Sequence, residues 1–333
     1  MNERRVTLTW PQRAPREASA RLRDTNKGGV ERIALGGSGA LWCGDNVAGL
    51  DALERERGEC ATLVYMDPPF LTGRVHEAVA RTRDASGKIV RRTTSAFDDR
   101  WSDRASYLEA LGARIEASRR VLLPHGSLVV HVDPKTSHYV RVLMDEIFGE
   151  ECFASEIIWR YRRWPAKTPN FQRMHDVLLR YRKDANAKPR FNTMYEPLAP
   201  STLKTWGTTK QRAIVDAAGR RTRSSSTAEP TAGTPLGDVW EIGVVAPVAR
   251  ERTGYPSQKP EALLERLVRT LSDPGELVVD PYAGSGTTLA AAARLEREFL
   301  GMDASAVARA TILERFSASG GVAGTLAPSL HRA

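Results

Sequence analysis

The sequence lacks the features that mark secreted, membrane-spanning and disulfide-stabilised proteins. No apolar run is long enough to cross a bilayer, and the opening Met1-Asn2-Glu3-Arg4-Arg5 lacks a signal-peptide core. The three cysteines, Cys43, Cys60 and Cys152, are odd in number and form no CxxC pair. Neither a disulfide framework nor a zinc site is therefore supported, and we expect a protein of the reducing cytoplasm.

Metal-binding patterns are also missing. His131, His138 and His175 lie within predicted strands and helices, where packing or hydrogen bonding suits them better than ligation. A metal-free site is therefore expected.

Positive charge is present in excess, and it is concentrated. The formal net charge is +9, whereas residues 157–223 alone carry sixteen Lys and Arg against four acids, a local charge of +12. Such a stretch indicates a polyanionic partner, because phosphate neutralisation and counterion release supply most non-specific affinity for nucleic acid. The alternative is an Arg-rich face that is merely solvated.

Hydrophobic patterning divides the chain into ordered and irregular segments. Residues 1–37 are polar, basic and aperiodic, which predicts a flexible N-terminal arm. Short apolar runs alternate with helical patterns over residues 38–182 and 239–318, which indicates one α/β domain with a parallel, doubly wound sheet. Residues 183–238 are rich in Pro, Gly, Ser, Thr and Arg and predict an inserted, loop-rich lobe, and residues 319–333 form a C-terminal tail.

A strand, a glycine-rich turn and a helix follow one another over residues 277–288. Glycines let a ligand approach the backbone, and the helix N-terminus offers unpaired N–H groups. The pattern suits a nicotinamide dinucleotide, a flavin or S-adenosylmethionine, and it also occurs as a turn without a ligand. Asp280 suits an amino group better than a phosphate, and Asp303 is placed to accept hydrogen bonds from both ribose hydroxyls. These two carboxylates favour S-adenosylmethionine.

A second motif, Asp67-Pro68-Pro69-Phe70, ends the apolar run of residues 62–66. A buried strand followed by two prolines predicts a strand that turns sharply into a loop. The polar residues 72–104 that follow predict a mobile loop beside the strand end. On its own, the motif is also consistent with a solvated aspartate at a Pro-Pro turn.

Methylation of an exocyclic amine explains the composition of this motif. The nitrogen of such an amine is a poor nucleophile, because its lone pair is delocalised into the ring. Asp67 and the Pro68 carbonyl would accept hydrogen bonds from the two N–H groups and direct the lone pair at the methyl donor. Pro69 helps to fix the backbone, and Phe70 offers a face on which an extruded base stacks.

Together the two motifs resemble those of a known family, the β-group site-specific DNA amino-methyltransferases. In that family the Asp-Pro-Pro-aromatic motif precedes the cofactor loop, a circularly permuted order within a Rossmann-like class I methyltransferase sheet. The resemblance extends from about residue 41 to residue 316. It includes Gly44-Asp45-Asn46 and residues 126–134, 175–179, 238–240 and 252–260.

The resemblance implies a seven-stranded α/β sheet and direct transfer of methyl from S-adenosylmethionine to adenine N6 of a flipped base in duplex DNA. It assigns catalysis to Asp67, Pro68, Pro69 and Phe70. It assigns the cofactor to one larger set: Asp280, Pro281, Tyr282, Gly284, Gly286 and Thr287 near the methionine part, Asp303 at the ribose, Asp45 at the adenine and Lys259 at the carboxylate.

For DNA, the resemblance places the target-recognition region at residues 183–238. The preceding basic run adds four candidate phosphate-binding residues, Arg160, Arg162, Arg163 and Lys167. Trp164 in that run is either an aromatic wedge into DNA or a buried core residue. The expected partner is double-stranded DNA, in the cytoplasm and associated with the nucleoid. A homodimer and a cognate restriction endonuclease are further partners that the sequence leaves open.

Other functions stay open to different degrees. Cytosine N4 presents the same NH₂ group, and an aspartate at the start of the motif favours adenine. Enzymes that methylate RNA guanine or protein glutamine usually place the cofactor loop first in the chain. A non-catalytic DNA-binding protein would be expected to lack key residues of the Asp-Pro-Pro-Phe motif or of the glycine-rich turn, and both motifs are intact. A nicotinamide oxidoreductase would leave Asp67-Pro68-Pro69-Phe70 unexplained.

Overall fold

The computed structural model describes residues 6–10, 13, 30–83, 89–165, 167, 169–212, 214–220, 225–318 and 324–325. Two compact units divide the chain, a larger one of Met1–Phe191 with Asp238–Ala333 and a smaller one of Asn192–Gly237. The strands are β1 Glu31–Ala34, β2 Gly39–Cys43, β3 Ala61–Met66, β4 Val75–Arg83, β5 Ile89–Asp98, β6 Leu122–Val132, β7 Phe153–Arg160, β8 His175–Arg182, β9 Tyr195–Glu196, β10 Thr209–Arg212, β11 Ser225–Pro230, β12 Thr234–Pro235, β13 Val239–Glu241, β14 Leu277–Asp280, β15 Glu298–Asp303 and β16 Gly324–Thr325. The α-helices are α1 Asn46–Arg57, α2 Arg104–Val121, α3 Ser137–Phe148, α4 Pro200–Trp206, α5 Glu261–Leu271, α6 Thr287–Arg294 and α7 Ala306–Ala318.

One sheet organises the larger unit, in the order β13-β7-β8-β6-β3-β14-β15-β2-β1-β16. The five central strands from β6 to β2 are parallel, and β8 runs antiparallel to both of its neighbours. The seven expected strands are those from β7 to β2, and three short strands extend the sheet at its edges. The predicted α/β class is confirmed, but the expectation of a wholly parallel sheet is wrong at β8 and at β1, which pairs antiparallel with β2.

Helices cover both faces of this sheet. Leu300 of β15 packs in the core cluster that includes side chains of α1, α2 and α3. Its neighbour Phe299 stacks on Phe316 of α7, with ring centroids 5.3 Å apart. Because successive side chains of a strand point to opposite faces, α7 lies on the face opposite to α1, α2 and α3.

The order of the parallel strands reverses between β3 and β14, because the strands that follow each of them are added on opposite sides of this pair. From β3 the chain passes through α2 to β6 on one side, and from β14 it passes through α6 to β15 on the other. In open α/β sheets, ligands bind in the crevice at the carboxyl ends of strands at such a switch point. Residues 67–70 follow β3 there, and residues 281–286 follow β14.

The prediction of a mobile loop over residues 72–104 is wrong. Strands β4 and β5 pair antiparallel along most of this segment, and α2 begins at Arg104. The hairpin is anchored to the segment before α5, because the Val79 amide donates to the Gly254 carbonyl at 3.2 Å and the Phe97 ring stacks on Tyr255 with centroids 6.3 Å apart. Polar residues on the exposed strands hid the two-residue period from the sequence analysis.

The prediction of a flexible arm over residues 1–37 is also wrong for part of that segment. Strand β1 pairs with β2, and β16 from the predicted tail pairs with β1. Leu8 and Trp10 pack against the core, and Arg13 forms an ion pair with Glu146 at 2.6 Å. The rest of the arm and of the tail lies outside the described residues.

The smaller unit consists of short elements. Within it, α4 accompanies two antiparallel pairs, β10 with β11 and β9 with β12. This unit is shorter than the predicted lobe of residues 183–238, because the chain up to Phe191 packs with the larger unit. There the Lys183 amide donates to the Gly126 carbonyl at 3.0 Å, and Arg190 forms an ion pair with Glu276 at 2.7 Å. Within the described residues, no helix is long and apolar enough to cross a membrane.

Candidate active site

A cavity of about 450 Å³ opens at the carboxyl ends of β3 and β14. This volume lies within the usual range for small-molecule sites, about 300–1,000 Å³. The cavity brings together nearly all of the predicted catalytic and cofactor residues: Asp45, Asp67, Pro68, Pro69, Phe70, Lys259, Asp280, Pro281, Tyr282, Gly284, Thr287 and Asp303. Gly286 is the exception. Its φ of +72° permits the turn into α6, and an added Cβ would lie 2.9 Å from Ile312, so this glycine serves the turn and its packing.

One carboxylate oxygen of Asp67 is bound by Lys259, and the other has no partner among the described residues. The Lys259 ammonium binds Oδ2 of Asp67, lies 3.4 Å from the Ser257 carbonyl and sits 5.0 Å from the Phe70 ring centroid. Oδ1 is buried and accepts no hydrogen bond from any described residue. An unmet buried acceptor costs about 1–3 kcal/mol, so this oxygen favours an incoming donor. Lys259, which was expected at the cofactor, thus holds the carboxylate of the catalytic motif.

The loop after Asp67 is held by a residue that the sequence analysis missed. Asp99 is 1% exposed and accepts hydrogen bonds from the amides of Phe70, Leu71 and Thr72 at 3.2, 3.0 and 2.8 Å. It also accepts from the Trp101 indole at 3.1 Å. Leu71 has a φ of +56°, an unfavourable conformation for a leucine. Asp99 therefore stabilises a strained turn and fixes the backbone that carries Phe70.

A buried histidine supports Phe70 from behind. The His131 ring lies 5.7 Å from the Phe70 ring, its Nδ1 is 2.8 Å from the Tyr65 hydroxyl, and its Nε2 faces Asp176 at 3.4 Å. Burial lowers the pKa of His131, and burial raises the pKa of Tyr65 well above its usual value. A neutral imidazole that accepts from the Tyr65 hydroxyl fits both shifts.

Among the described residues, no group of three or more His, Cys, Asp or Glu side chains is arranged to hold a metal ion.

The glycine-rich loop is tied to the neighbouring strand. Asp303, at the end of β15, accepts hydrogen bonds from the amides of Gly284 and Ser305, each at 2.8 Å. Gly284 has a φ of +49°, and a Cβ there would lie 3.1 Å from the Tyr255 ring. Gly284 lines the cavity, and because it has no side chain a ligand can approach its backbone closely.

Two buried carboxyl groups of the cavity, those of Asp280 and Asp303, have raised pKa values. Burial raises the pKa of Asp280 to about 7, with Asp67 and Asp303 adding to the rise and hydrogen bonds from Thr288 and the Tyr282 amide opposing it. Burial also raises the pKa of Asp303. Both shifts reflect burial of the carboxyl groups, and for Asp280 the nearby carboxylates of Asp67 and Asp303 add to it. A cationic ligand would relieve the repulsion between these groups and favour their ionised forms.

Asp45 serves the fold as well as lining the cavity. Its Oδ1 accepts from the amides of Val47 and Ala48 at 2.9 and 3.0 Å and so caps α1, and its Oδ2 lies 3.2 Å from Arg114. The Asn46 side chain donates to the Pro281 carbonyl at 2.9 Å, which ties this cap to the cofactor loop. The expected contact of Asp45 with an adenine ring stays a prediction.

The four predicted DNA-binding residues differ in their surroundings. Arg160 at the end of β7 pairs with Glu241, and the Arg163 guanidinium lies 5.0 Å from the Tyr161 ring. Arg162 and Lys167 are exposed, and neither makes an ion pair with the described residues. Trp164 is 90% exposed, so the alternative of a buried core tryptophan is wrong.

The fold is that of the class I methyltransferases. The PvuII DNA methyltransferase, whose solved structure is described as cytosine-N4-specific, matches with a TM-score of 0.52 and 17% identity over 85% of this chain and 91% of that one.

The DNA methylase family model for N6 and N4 methyltransferases matches residues 61–314, and the chain belongs to this family. Type II methyltransferase M.EcaI of Enterobacter cloacae is 28% identical over 94% of this chain and 78% of its own length. DNA adenine methyltransferase YhdJ of Escherichia coli is 26% identical over 76% of this chain and 75% of its own length. The protein is thus an amino-methyltransferase of DNA that uses S-adenosylmethionine.

The residues of the cavity fit this cofactor. S-adenosylmethionine carries an ammonium and a sulfonium, and the carboxylates of Asp280 and Asp303 with the bare backbone at Gly284 provide for a cation and for close approach. When bound, the cofactor supplies an electrophilic methyl group that is already activated by its positive sulfur. The protein therefore mainly has to align the target nitrogen with the methyl group.

We expect cofactor binding to weaken as the pH falls below about 7, because Asp280, whose pKa is raised to about 7, must be ionised to receive the ammonium. Titration calorimetry should show an affinity that decreases as the pH is lowered from 8 to 5.5, with proton release on binding at the lower pH values. In the ligand-free protein the sign is opposite. A raised carboxyl pKa contributes stability at low pH that is lost as the pH rises through about 7.

Asp280→Asn should bind the cofactor at least about tenfold more weakly at pH 8, since a charge-assisted hydrogen bond is worth about 1.5–3 kcal/mol, and its affinity should vary less with pH. Asp184→Asn, outside the cavity, provides the control and should behave as wild type. An Asp280→Asn protein with the wild-type pH dependence would contradict the role given to this carboxylate.

Proposed function

We propose that the protein methylates N6 of adenine in duplex DNA, on a base rotated out of the helix into the cavity. The observation that carries this proposal is the buried Oδ1 of Asp67, an acceptor without a partner among the described residues, at the edge shared with the cofactor loop. An exocyclic amine supplies the missing donor. A base within a stacked duplex cannot reach such a site, and this argument supports extrusion of the base.

Asp67 and the backbone of Pro68 orient the target amine. One N–H donates to Oδ1 of Asp67 and the other to the Pro68 carbonyl, which turns the nitrogen lone pair towards the methyl group. Lys259 occupies Oδ2 and so reserves Oδ1 for the base. Methyl transfer forms a bond from nitrogen to carbon, breaks the bond from carbon to sulfur and releases one proton from the amine. No covalent bond to the enzyme is needed.

Phe70 provides the stacking face for the extruded base, and its surroundings keep it still. Asp99 fixes its backbone, and the neutral His131 ring packs against its side chain. A base held in this way is already close to the geometry of methyl transfer. Such positioning raises the rate because the base and the methyl group need not be brought into alignment during the reaction.

Adenine is favoured over cytosine because the motif begins with aspartate. The relative YhdJ is named a DNA adenine methyltransferase, which supports the same base. Cytosine N4 is the second candidate, since the PvuII enzyme with the same fold is named cytosine-N4-specific. Both bases offer an NH₂ group to the same pair of acceptors.

DNA binding would involve both units of the chain. We assign target recognition to the separate unit Asn192–Gly237, which makes up most of the predicted lobe of residues 183–238, whereas the chain up to Phe191 packs with the larger unit. Phosphate contacts are assigned to the basic run from Arg160 to Lys167, with Arg162 and Lys167 best placed because their charges are not paired with described residues. The type II name of M.EcaI supports a cognate restriction endonuclease as a further partner.

Nucleoside mass spectrometry tests the reaction directly. The protein incubated with mixed-sequence duplex DNA and methyl-labelled S-adenosylmethionine should yield labelled N6-methyladenine. Asp67→Ala should lose at least about 100-fold in rate, the usual effect of removing one preorganised polar group, and should keep its cofactor affinity within a few-fold. Asp184→Ala is the matched control. N4-methylcytosine as product would overturn the base assignment, and full activity of Asp67→Ala would remove this carboxylate from the mechanism.

The salt dependence of DNA binding tests the phosphate contacts. Each of Arg162→Ala and Lys167→Ala should reduce the slope of log affinity against log salt by about 0.9, the value for one phosphate contact. Arg55→Ala, an exposed arginine in the last turn of α1, should leave the slope unchanged. Wild-type slopes in both of the first two variants would count against this surface.

A further inference from the structure

We infer that Trp164 and Phe171 form an aromatic wedge that enters the duplex at the point where the target base leaves it. The inference rests on the proposed function, because a gap of this kind opens only when a base is extruded. The chemical partner is the pair of base steps that flank the extruded nucleotide.

The two rings are exposed on one loop, between β7 and β8. Trp164 is 90% exposed and Phe171 is fully exposed, although aromatic side chains of this size are usually at least partly covered. The Gln172 side chain donates to the Trp164 carbonyl at 2.8 Å, and the Tyr161 amide donates to the Met174 carbonyl at 2.9 Å. These bonds join the two arms of the loop and bring Trp164 next to the residue that follows Phe171.

The loop lies at the edge of the sheet where the cavity opens. Strand β7 runs in the same direction as β3, so its carboxyl end and the loop after it lie at the carboxyl edge. Three strand spacings separate β7 from β3, about 14 Å at roughly 4.8 Å per strand. An element that starts there can reach DNA whose extruded base occupies the cavity.

The base of the loop is anchored to the wall of the base site. The Tyr161 hydroxyl donates to Asp176 at 2.9 Å, and Asp176 faces His131, whose ring packs against Phe70. The exposed rings of Trp164 and Phe171 thus extend from a base held by hydrogen bonds, as a wedge must if it is to push against stacked bases.

Charge decides between DNA and a protein as the partner of the loop. Arg162 and Lys167 flank Trp164, are exposed and make no ion pair with the described residues. Cations beside exposed aromatics suit a polyanion with stacked bases, where the rings insert and the cations bind phosphates. In a twofold contact between two copies, the same cations would approach each other and repel.

A comparison of paired and mismatched targets tests the wedge. The substrates are two duplexes with the mapped target site, one with the normal partner base opposite the target and one with a mismatched base there. A wedge is needed most where the target is paired, since a mismatched base costs less to extrude. The double variant Trp164→Ala, Phe171→Ala should lose at least about tenfold in kcat/KM on the paired duplex and stay within about threefold of wild type on the mismatched one, because base stacking on an aromatic is worth about 1–3 kcal/mol.

Three controls accompany this experiment. Trp164→Phe keeps an aromatic ring and should retain most of the activity on the paired duplex. Phe191→Ala removes a half-exposed phenylalanine next to Arg190, at the opposite end of the sheet, and should have no effect. Cofactor affinity of the double variant should equal that of wild type, since neither exposed ring contributes to the core.

Equal loss of activity on both duplexes, or no loss on either, would overturn the wedge. A change of oligomeric state in the double variant, with methylation of the paired duplex unchanged, would assign the rings to a protein interface instead. Failure of the proposed function is a different result, in which the wild-type protein itself produces no methylated base on either duplex.

Discussion

The site depends on one constraint, that β3 and β14 lie side by side and end at the same edge of the sheet. The loop after β3 carries Asp67, and the loop after β14 carries Asp280. The two carboxylates are close enough for Asp67 to raise the pKa of Asp280, so the proposed acceptor for the target amine and the proposed acceptor for the cofactor share one cavity. A slip between these two strands would separate them and remove the alignment on which methyl transfer depends.

Buried polar contacts hold the loop that follows β3, residues 67–72. Lys259 takes one oxygen of Asp67, and Asp99 takes three successive amides of the strained turn that follows. His131, fixed by Tyr65, closes the space behind Phe70. These residues hold others in position, and together they fix the backbone of the loop. Such rigidity is consistent with a reaction that needs alignment more than acid or base chemistry.

The sequence predicted those parts of the site that are formed by residues adjacent in the chain. A carboxylate followed by two prolines after an apolar run, and glycines between a strand and a helix, each determine a short stretch of backbone, and the cavity contains all but Gly286 of the residues assigned to it. Asp99 could not be found in this way, because its partners lie 27 to 29 residues away and meet it only through the hairpin of β4 and β5. The hairpin itself was missed because polar residues on exposed strands hide their period. The pairing of Lys259 with Asp67 spans 192 positions, so no local sequence pattern signals it.

The account's central claim is that Oδ1 of Asp67 receives the target amine. A crystal structure of the protein with a non-reactive cofactor analogue and a duplex containing its target site measures this contact directly. The account predicts an extruded base stacked on Phe70, with its exocyclic nitrogen within about 3.2 Å of Oδ1 of Asp67, the upper limit of an ordinary hydrogen bond. A target base that remains stacked in the duplex, or an amine bound away from Asp67, would contradict it.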